Sequence, residues 1–258
     1  MIPRILHLYW GRNRPLSYLR YRTYETFKRL NPSWEILVWT TDTPTMTDSW
    51  TTGEQSGDRH CVDWFDRIPH PRPFCFESRG FPIGASEVHK SDFARWCLLS
   101  EEGGWWSDFD IYYARPMTTM THLAPGVFDA HTVVCAHRWH SIGFLGAQPE
   151  SPLFTTAAYM ARVKYAPASY QCLGRTLLDE LLPPPVANGN GIVNLPESIV
   201  YPVRASPKRD ILRLRSHIDI PAGHVGVHWF AGHPDNDYLE TTTTPTNPPP
   251  FACTPILI

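Results

Sequence analysis

The stretch KSDFARWCLLSEEGGWWSDFDIYYARP, residues 90–116, runs from a helical pattern through a glycine pair into an aromatic strand. Ser86 is a suitable N-cap, and the spacing predicts a helix from Ser86 to Glu102. Gly103-Gly104 stops that helix and lets the chain turn sharply and approach a ligand closely. A strand is expected from Trp105 to Tyr113, and its alternation puts Asp108 and Asp110 on one side. Two neighbouring carboxylates are costly unless a cation lies between them or they share a proton. Oxygen ligands select Mg²⁺ or Mn²⁺, ions that keep positions open for phosphate oxygens. On the helix, Asp92 and Arg95 are i,i+3 and share a face, which Leu99 continues into the core. Asp-Phe-Asp alone would equally suit a solvated strand end, and Asp92–Arg95 alone a surface ion pair. The combination within about twenty residues is what points to chemistry.

Upstream, Ile2 to Trp10 reads as a strand, Pro15 to Leu30 as a helix stopped by Asn31-Pro32, and Trp34 to Trp39 as a second strand. Strand, helix and strand with short connections make a βαβ unit with parallel pairing. Residues 43–85 are irregular and polar, an insertion expected over the sheet edge. Downstream, VVCAHR (133–138) and IGFLGA (142–147) read as strands, and Pro152 to Tyr165 and Gln171 to Leu182 as helices. Residues 192–203 and 224–230 read as short strands. The expected architecture is one α/β domain over residues 1–240. Its Rossmann-like nucleotide-binding half is built on a mixed central sheet. The Thr/Pro-biased tail at 241–258 is expected to lack stable structure.

The chain's 258 residues suffice for a substantial core, and 42% hydrophobic with 19% charged residues is an ordinary globular balance. A formal net charge of −2 and the absence of a basic stripe exclude a nucleic-acid footprint. No run of eighteen apolar residues occurs, and the first ten residues read as a strand rather than a secretory leader. The six cysteines form no CxxC pair, so free thiols and a soluble, cytoplasmic protein are expected.

The spaced set Ser91-Asp92-x2-Arg95-x3-Leu99-x3-Gly103-Gly104-x-Trp106-x-Asp108-x-Asp110 resembles the signature of glycosyltransferase family 32, the DXD-containing sugar transferases. It is also similar to the glucosyltransferase domains of large clostridial toxins. The family's tyrosine is replaced by Trp106, which keeps an aromatic. IPRILHLYWG (2–11), LNPSWEILVWTTD (30–42), IVNLPESIVYPV (192–203) and GVHWFAGH (226–233) resemble further family segments. Two departures lie toward the acceptor side: Ser141-Ile142 stand where the family commonly has an asparagine, and Gly174-Arg175 where Gly-Pro is usual.

The resemblance implies a GT-A-type fold and metal-dependent transfer, with retained anomeric configuration, from a nucleotide-sugar to a glycan or other hydroxyl acceptor. A UDP-sugar is the preferred donor and GDP-mannose the alternative. It implies that Asp110 binds Mn²⁺ or Mg²⁺ and that Asp108 touches the metal or the donor ribose. His228 would complete the coordination, with His233 as the other histidine in reach. Asp92 would accept from sugar hydroxyls, Arg95 would contact the sugar or diphosphate, and Trp10 would lie near the base. Asp235 and Asp237 could orient an acceptor hydroxyl. Lys90 reads as solvated, and Tyr9, Trp105 and Trp106 as packing. His137, Trp139 and His140 have no cysteine or carboxylate at zinc spacing and are not read as a metal site. The competing readings are a phosphohydrolase with an aspartyl nucleophile and a non-catalytic nucleotide-sugar or carbohydrate binding protein. The first is disfavoured because Asp-Phe-Asp lies at mid-chain.

Overall fold

Strand β1 (Ile5–Tyr9), helix α1 (Tyr18–Leu30) and strand β2 (Glu35–Thr40) form the expected βαβ unit, with β1 and β2 parallel from Ile5↔Glu35 to Tyr9↔Trp39. In this computed structural model the chain is described at residues 1–45, 62–203, 223–233 and 236–253. Helix α1 starts at Ser17, whose hydroxyl accepts the Arg20 N–H, and stops at Asn31 ahead of Pro32. Helix α2 (Glu87–Glu101) starts at Ser86, whose hydroxyl accepts the His89 N–H as the sequence suggests.

The remaining strands are β3 (Arg72–Pro73), β4 (Gly104–Ser107), β5 (Ile111–Tyr113), β6 (Thr132–Val134), β7 (Phe144–Ala147), β8 (Ile192–Asn194) and β9 (Gly226–His228). Seven of them form one mixed sheet in the order β3-β2-β1-β4-β7-β6-β8, antiparallel at β4–β7 and β7–β6 and parallel elsewhere. Strands β5 and β9 pair antiparallel as a separate ribbon. One face of the sheet buries Leu6, Leu8, Trp105 and Phe144 with Phe27 of α1. The other buries Trp39, Trp106 and Leu145 with α2 and α4 (Pro152–Val163). Alternation along β1 and β4 therefore splits Trp105 from Trp106 between two cores.

The structure corrects five expectations. Trp105 to Tyr113 is two strands in two sheets, not one, and Asp108-Phe109-Asp110 is the turn between them. The aromatic run hides the break because β5 is fixed by β9, more than a hundred residues downstream, and not by local pattern. Within 62–85, strand β3 pairs with β2, and Phe74, Phe76 and Phe81 are buried in the core, so this part is more than a cover. Within the tail, helix Asp237–Thr242 is followed by a 3-10 turn at Pro250–Cys253, and Phe251 is buried edge-on against Tyr112, while 254–258 lie outside the described residues. Residues 192–203 are strand only at β8, followed by a 3-10 turn at Glu197–Ile199, and the helix expected at 171–182 is α5 (Arg175–Leu181).

Gly103 and Gly104 both have positive φ (65° and 88°). A Cβ on Gly103 would sit 2.6 Å from the Pro149 nitrogen, and one on Gly104 2.9 Å from the Ile5 carbonyl. The pair thus serves close backbone packing and the entry into β4, and neither glycine lines the cavity described below. Cys75, Cys97, Cys135 and Cys172 are free thiols, and no helix among the described residues is long and apolar enough to cross a membrane.

His7 ties the glycine turn to the sheet. Its Nε2 is 2.9 Å from the Gly103 carbonyl, and its Nδ1 accepts the Trp39 indole N–H at 3.1 Å. This pairing requires the neutral ring, and burial lowers its pKa from 6.5 to about 4. A depressed folded-state pKa means that the unfolded chain binds the proton first. His7 therefore contributes stability that is complete above pH 6.5 and lost as pH falls toward 4, about 3 kcal/mol in all. Comparison with His7→Gln by urea unfolding isolates this contribution. The advantage of wild type at pH 7.5 should shrink by about that amount at pH 4.

Candidate active site

The carboxyl ends of the parallel strands β1 and β4 and the amino end of antiparallel β7 meet at one edge of the sheet. There a cavity of about 450 Å³ opens, lined by Trp10, Asp92, Arg95, Asp108, Asp110, Tyr201, His228 and His233 among others. Helix α2 presents Glu87, Ser91 and Arg95 to it at i, i+4 and i+8, with Asp92 beside them. Ligands of open α/β sheets bind at this edge.

Arg95 is the electrostatic hub. Its guanidinium donates to Asp92 Oδ1 at 2.7 Å and to Asp108 Oδ1 at 3.1 Å, and its side chain is 3% exposed. Trp106 Nε1 donates to the same Asp108 oxygen at 2.7 Å, so this residue, expected only to pack, also fixes a carboxylate. Burial pushes the Asp92 carboxyl up to about 6 despite Arg95. Arg95 itself is held more basic than usual: burial opposes its charge, but Asp108 and Asp92 outweigh that.

Asp110 is reached through the second sheet. The β5–β9 register pairs Ile111 with His228, which brings the imidazole beside the preceding residue, Asp110. Phe230 then adopts φ 50°, a left-handed conformation unusual for a bulky side chain, and the Ala231 N–H is delivered to Asp110 Oδ2 at 2.9 Å. Burial disfavours the Asp110 anion, but His228, Arg20 and the Ala231 N–H overcome it and hold the carboxyl well below its usual range. Asp110 Oδ1 lies 3.0 Å from His228 Nε2, yet it is buried and lacks a partner in hydrogen-bond geometry. Two ligand-type atoms held this close suit a shared third partner.

Among the described residues, Asp108, Asp110 and His228 form the one cluster with metal-ligand composition, with a ligand atom from each within 4.8 Å of the others. Two carboxylates and an imidazole fit a divalent cation. His233 lines the same cavity but is not in that cluster. Asp235 lies outside the described residues, as does the side chain of Asp237. The HRWH run holds no cluster: His140 is buried, with Nε2 2.7 Å from the Leu182 carbonyl.

Trp10 lines the cavity but is only 8% exposed. Its indole donates to the Arg14 carbonyl, and the Arg14 and Arg20 guanidiniums lie 5.6 and 5.1 Å from its ring. It is a wall more than an open stacking platform. Lys90, expected to be solvated, is fully buried: it pairs with Glu87 Oε1 at 2.9 Å and donates to the Thr43 carbonyl and Thr45 hydroxyl. Glu87 also accepts from Tyr9 Oη at 2.8 Å and lines the cavity. The i,i+4 spacing from Glu87 to Ser91 on a helix already carrying Asp92 was the signal available for it. Gly143 and Tyr201 had none, since they reach the site from β7 and from the chain after β8. Ser141, Ile142 and Arg175, the positions that depart from the family pattern, all line the cavity.

The mixed α/β sheet thus gathers a DxD carboxylate pair, an arginine and a histidine at this edge, the set that the sequence resemblance to GT-A-type glycosyltransferases implies. Residues 19–126 match the family described as the glycosyltransferase sugar-binding region containing DXD motif. The matched span holds Asp92, Arg95, Asp108 and Asp110; Trp10, Tyr201 and His228 lie beyond it. Solved structures similar to this chain include the PaToxG glycosyltransferase, 12% identical over 70% of this chain and 68% of that one, with a TM-score of 0.48. They also include galactosyltransferase LgtC in complex with donor and acceptor sugar analogs, 12% identical over 94% of this chain and 85% of that one, with a TM-score of 0.46. An active-site mutant of LgtC is 12% identical over 88% and 87%, also with a TM-score of 0.46. No curated protein sequence matches.

Proposed function

We propose that the chain is a metal-dependent, retaining glycosyltransferase that moves a sugar from a nucleoside-diphosphate donor to a hydroxyl of a saccharide acceptor. The observation that carries this reading is the cluster of half-buried Asp108 with buried Asp110 and His228, opening onto the cavity that Arg95 and Asp92 line. Asp108, Asp110 and His228 hold the cation, Mn²⁺ or Mg²⁺, which when bound offsets the negative charge of the donor diphosphate. Asp92 accepts from donor-sugar hydroxyls, and Arg95 holds Asp92 and Asp108 in place while adding positive charge toward the diphosphate. Trp10 forms the wall on the base side.

Retention is what the family resemblance implies, and the occupation of the acidic groups bears on the route to it. Glu87, Asp92, Asp108 and Asp110 each already engage a cation or a hydrogen-bond donor, so none of these four stands alone as a nucleophile. Attack by the acceptor hydroxyl on the face that the diphosphate leaves then accounts for the stereochemistry. A UDP-sugar is the preferred donor, with GDP-mannose as the alternative. The test is a thermal-shift panel of UDP-, GDP- and TDP-sugars with and without Mn²⁺. At a hundredfold excess over Kd, ligand binding stabilises the fold by about 2.7 kcal/mol, a shift of several degrees. The expected result is a shift with one nucleotide class, only when Mn²⁺ is present. A panel with no metal-dependent shift refutes the reading.

A further inference from the structure

Trp139 is 45% exposed and, among the described residues, is the one exposed aromatic that lines the cavity. The turn that carries it is pinned at several points. The His140 N–H donates to Asp179 Oδ1 at 2.8 Å, the Ser141 N–H donates to the Cys135 carbonyl at 2.8 Å, and Ala136 bridges to His140. The indole is braced as well. The Arg175 guanidinium carbon lies 4.8 Å from its ring centroid, and Arg175 Nε donates to Asp179 Oδ2 at 3.0 Å. Asp179 thus anchors both the turn and the brace. A large apolar surface that stays exposed on a fixed mount is preorganised for a partner. Gly174 sets its place relative to the donor site. A Cβ there would lie 2.8 Å from Asp92 Oδ2 and 2.8 Å from Ile142 Cδ1, so the backbone just before Arg175 rests against Asp92.

We infer that Trp139 and Arg175 form an acceptor subsite, in which a neutral saccharide ring of the acceptor lies on the Trp139 indole. The inference rests on the donor-site reading above, in which Asp92 holds the donor sugar, and names what binds beside it. A pyranose ring presents a face of C–H groups, partly positive, that matches the negative face of an aromatic ring. Its hydroxyls stay at the rim. Arg175 covers one face of the indole and leaves the other for the sugar. The remaining N–H groups of the planar guanidinium suit hydroxyl oxygens at that rim. Asp179 offsets the Arg175 charge, which favours an uncharged ring over an anionic one. An acceptor seated here adjoins the donor sugar that Asp92 holds, as direct transfer between them requires.

The test measures nucleoside diphosphate release from the preferred donor with Mn²⁺, using methyl hexopyranosides, methyl hexuronosides and neutral disaccharides as acceptors. Wild type, Trp139→Ala, Trp139→Phe and Arg175→Gln are compared, and calorimetric titration of UDP and of GDP with Mn²⁺ reports the donor site separately. The expected result for Trp139→Ala is an acceptor KM about tenfold higher, with diphosphate affinity as in wild type. Trp139→Phe keeps an aromatic face and should recover most of that loss, and Arg175→Gln should show a smaller rise. Equal acceptor KM in wild type and Trp139→Ala overturns the inference. So does a rise matched by an equal loss of diphosphate affinity, which makes Trp139 a prop for the donor site. Acceleration by hexuronosides alone overturns the neutral ring. If wild type binds a diphosphate with Mn²⁺ but no saccharide speeds release, the donor-site reading stands and the inference fails. If wild type binds neither diphosphate, the donor-site reading itself fails and the inference with it.

Discussion

Replacing Arg95 with methionine is expected to cost about 3–5 kcal/mol of stability and to abolish donor binding. Arg95 and Asp92 are almost fully buried, and Arg95 is the cation that both Asp92 and Asp108 contact directly. Removing it leaves two acidic groups facing each other with nothing positive between them, the situation in which a broken buried pair costs most. The loss should depend on pH in a defined direction. Asp92 already has a raised pKa of about 6 with Arg95 present, and without the guanidinium it rises further. A group whose folded-state pKa is raised is stabilising to protonate, so the penalty should be largest at pH 8 and relax as pH falls toward 5. Adding Asp92→Asn to Arg95→Met should recover part of the stability at pH 8 and little at pH 5. Urea unfolding of the two variants at both pH values checks this. A penalty independent of pH would mean that Asp92 is not the group left stranded.

The βαβ unit and α2 were legible because their signals are local. Alternation in Ile5–Tyr9 and Glu35–Thr40, the Ser17 and Ser86 caps, and the Asn31-Pro32 stop act within a few residues. The spacing of Asp92, Arg95, Asp108 and Asp110 was legible too, since one helix, one turn and one short strand deliver all four. What stayed hidden depends on distant pairing. The break between β4 and β5 is set by β9, and the same register brings His228 beside Asp110. Burial of Phe251 against Tyr112 orders a Thr/Pro-rich segment that composition alone assigns to disorder. Lys90 looks like a surface residue until Glu87, Thr43 and Thr45 close around it.

Asp110→Asn is expected to reduce sugar transfer at least about a hundredfold while leaving the protein folded. The substitution removes charge from the cluster proposed to hold the cation, and a cation's compensation of a diphosphate is worth several kcal/mol in such sites. It should spare the fold because an asparagine oxygen can keep the hydrogen bond from the Ala231 N–H at Oδ2. Near-UV circular dichroism of the variant verifies the fold. The most direct measurement is nucleoside diphosphate released from the preferred donor, for wild type with Mn²⁺, wild type with chelator, and Asp110→Asn with Mn²⁺. The expected result is release by the first alone. Equal release in all three, or from none of a panel of UDP-, GDP- and TDP-sugars, would contradict a metal-dependent transferase centred on these carboxylates.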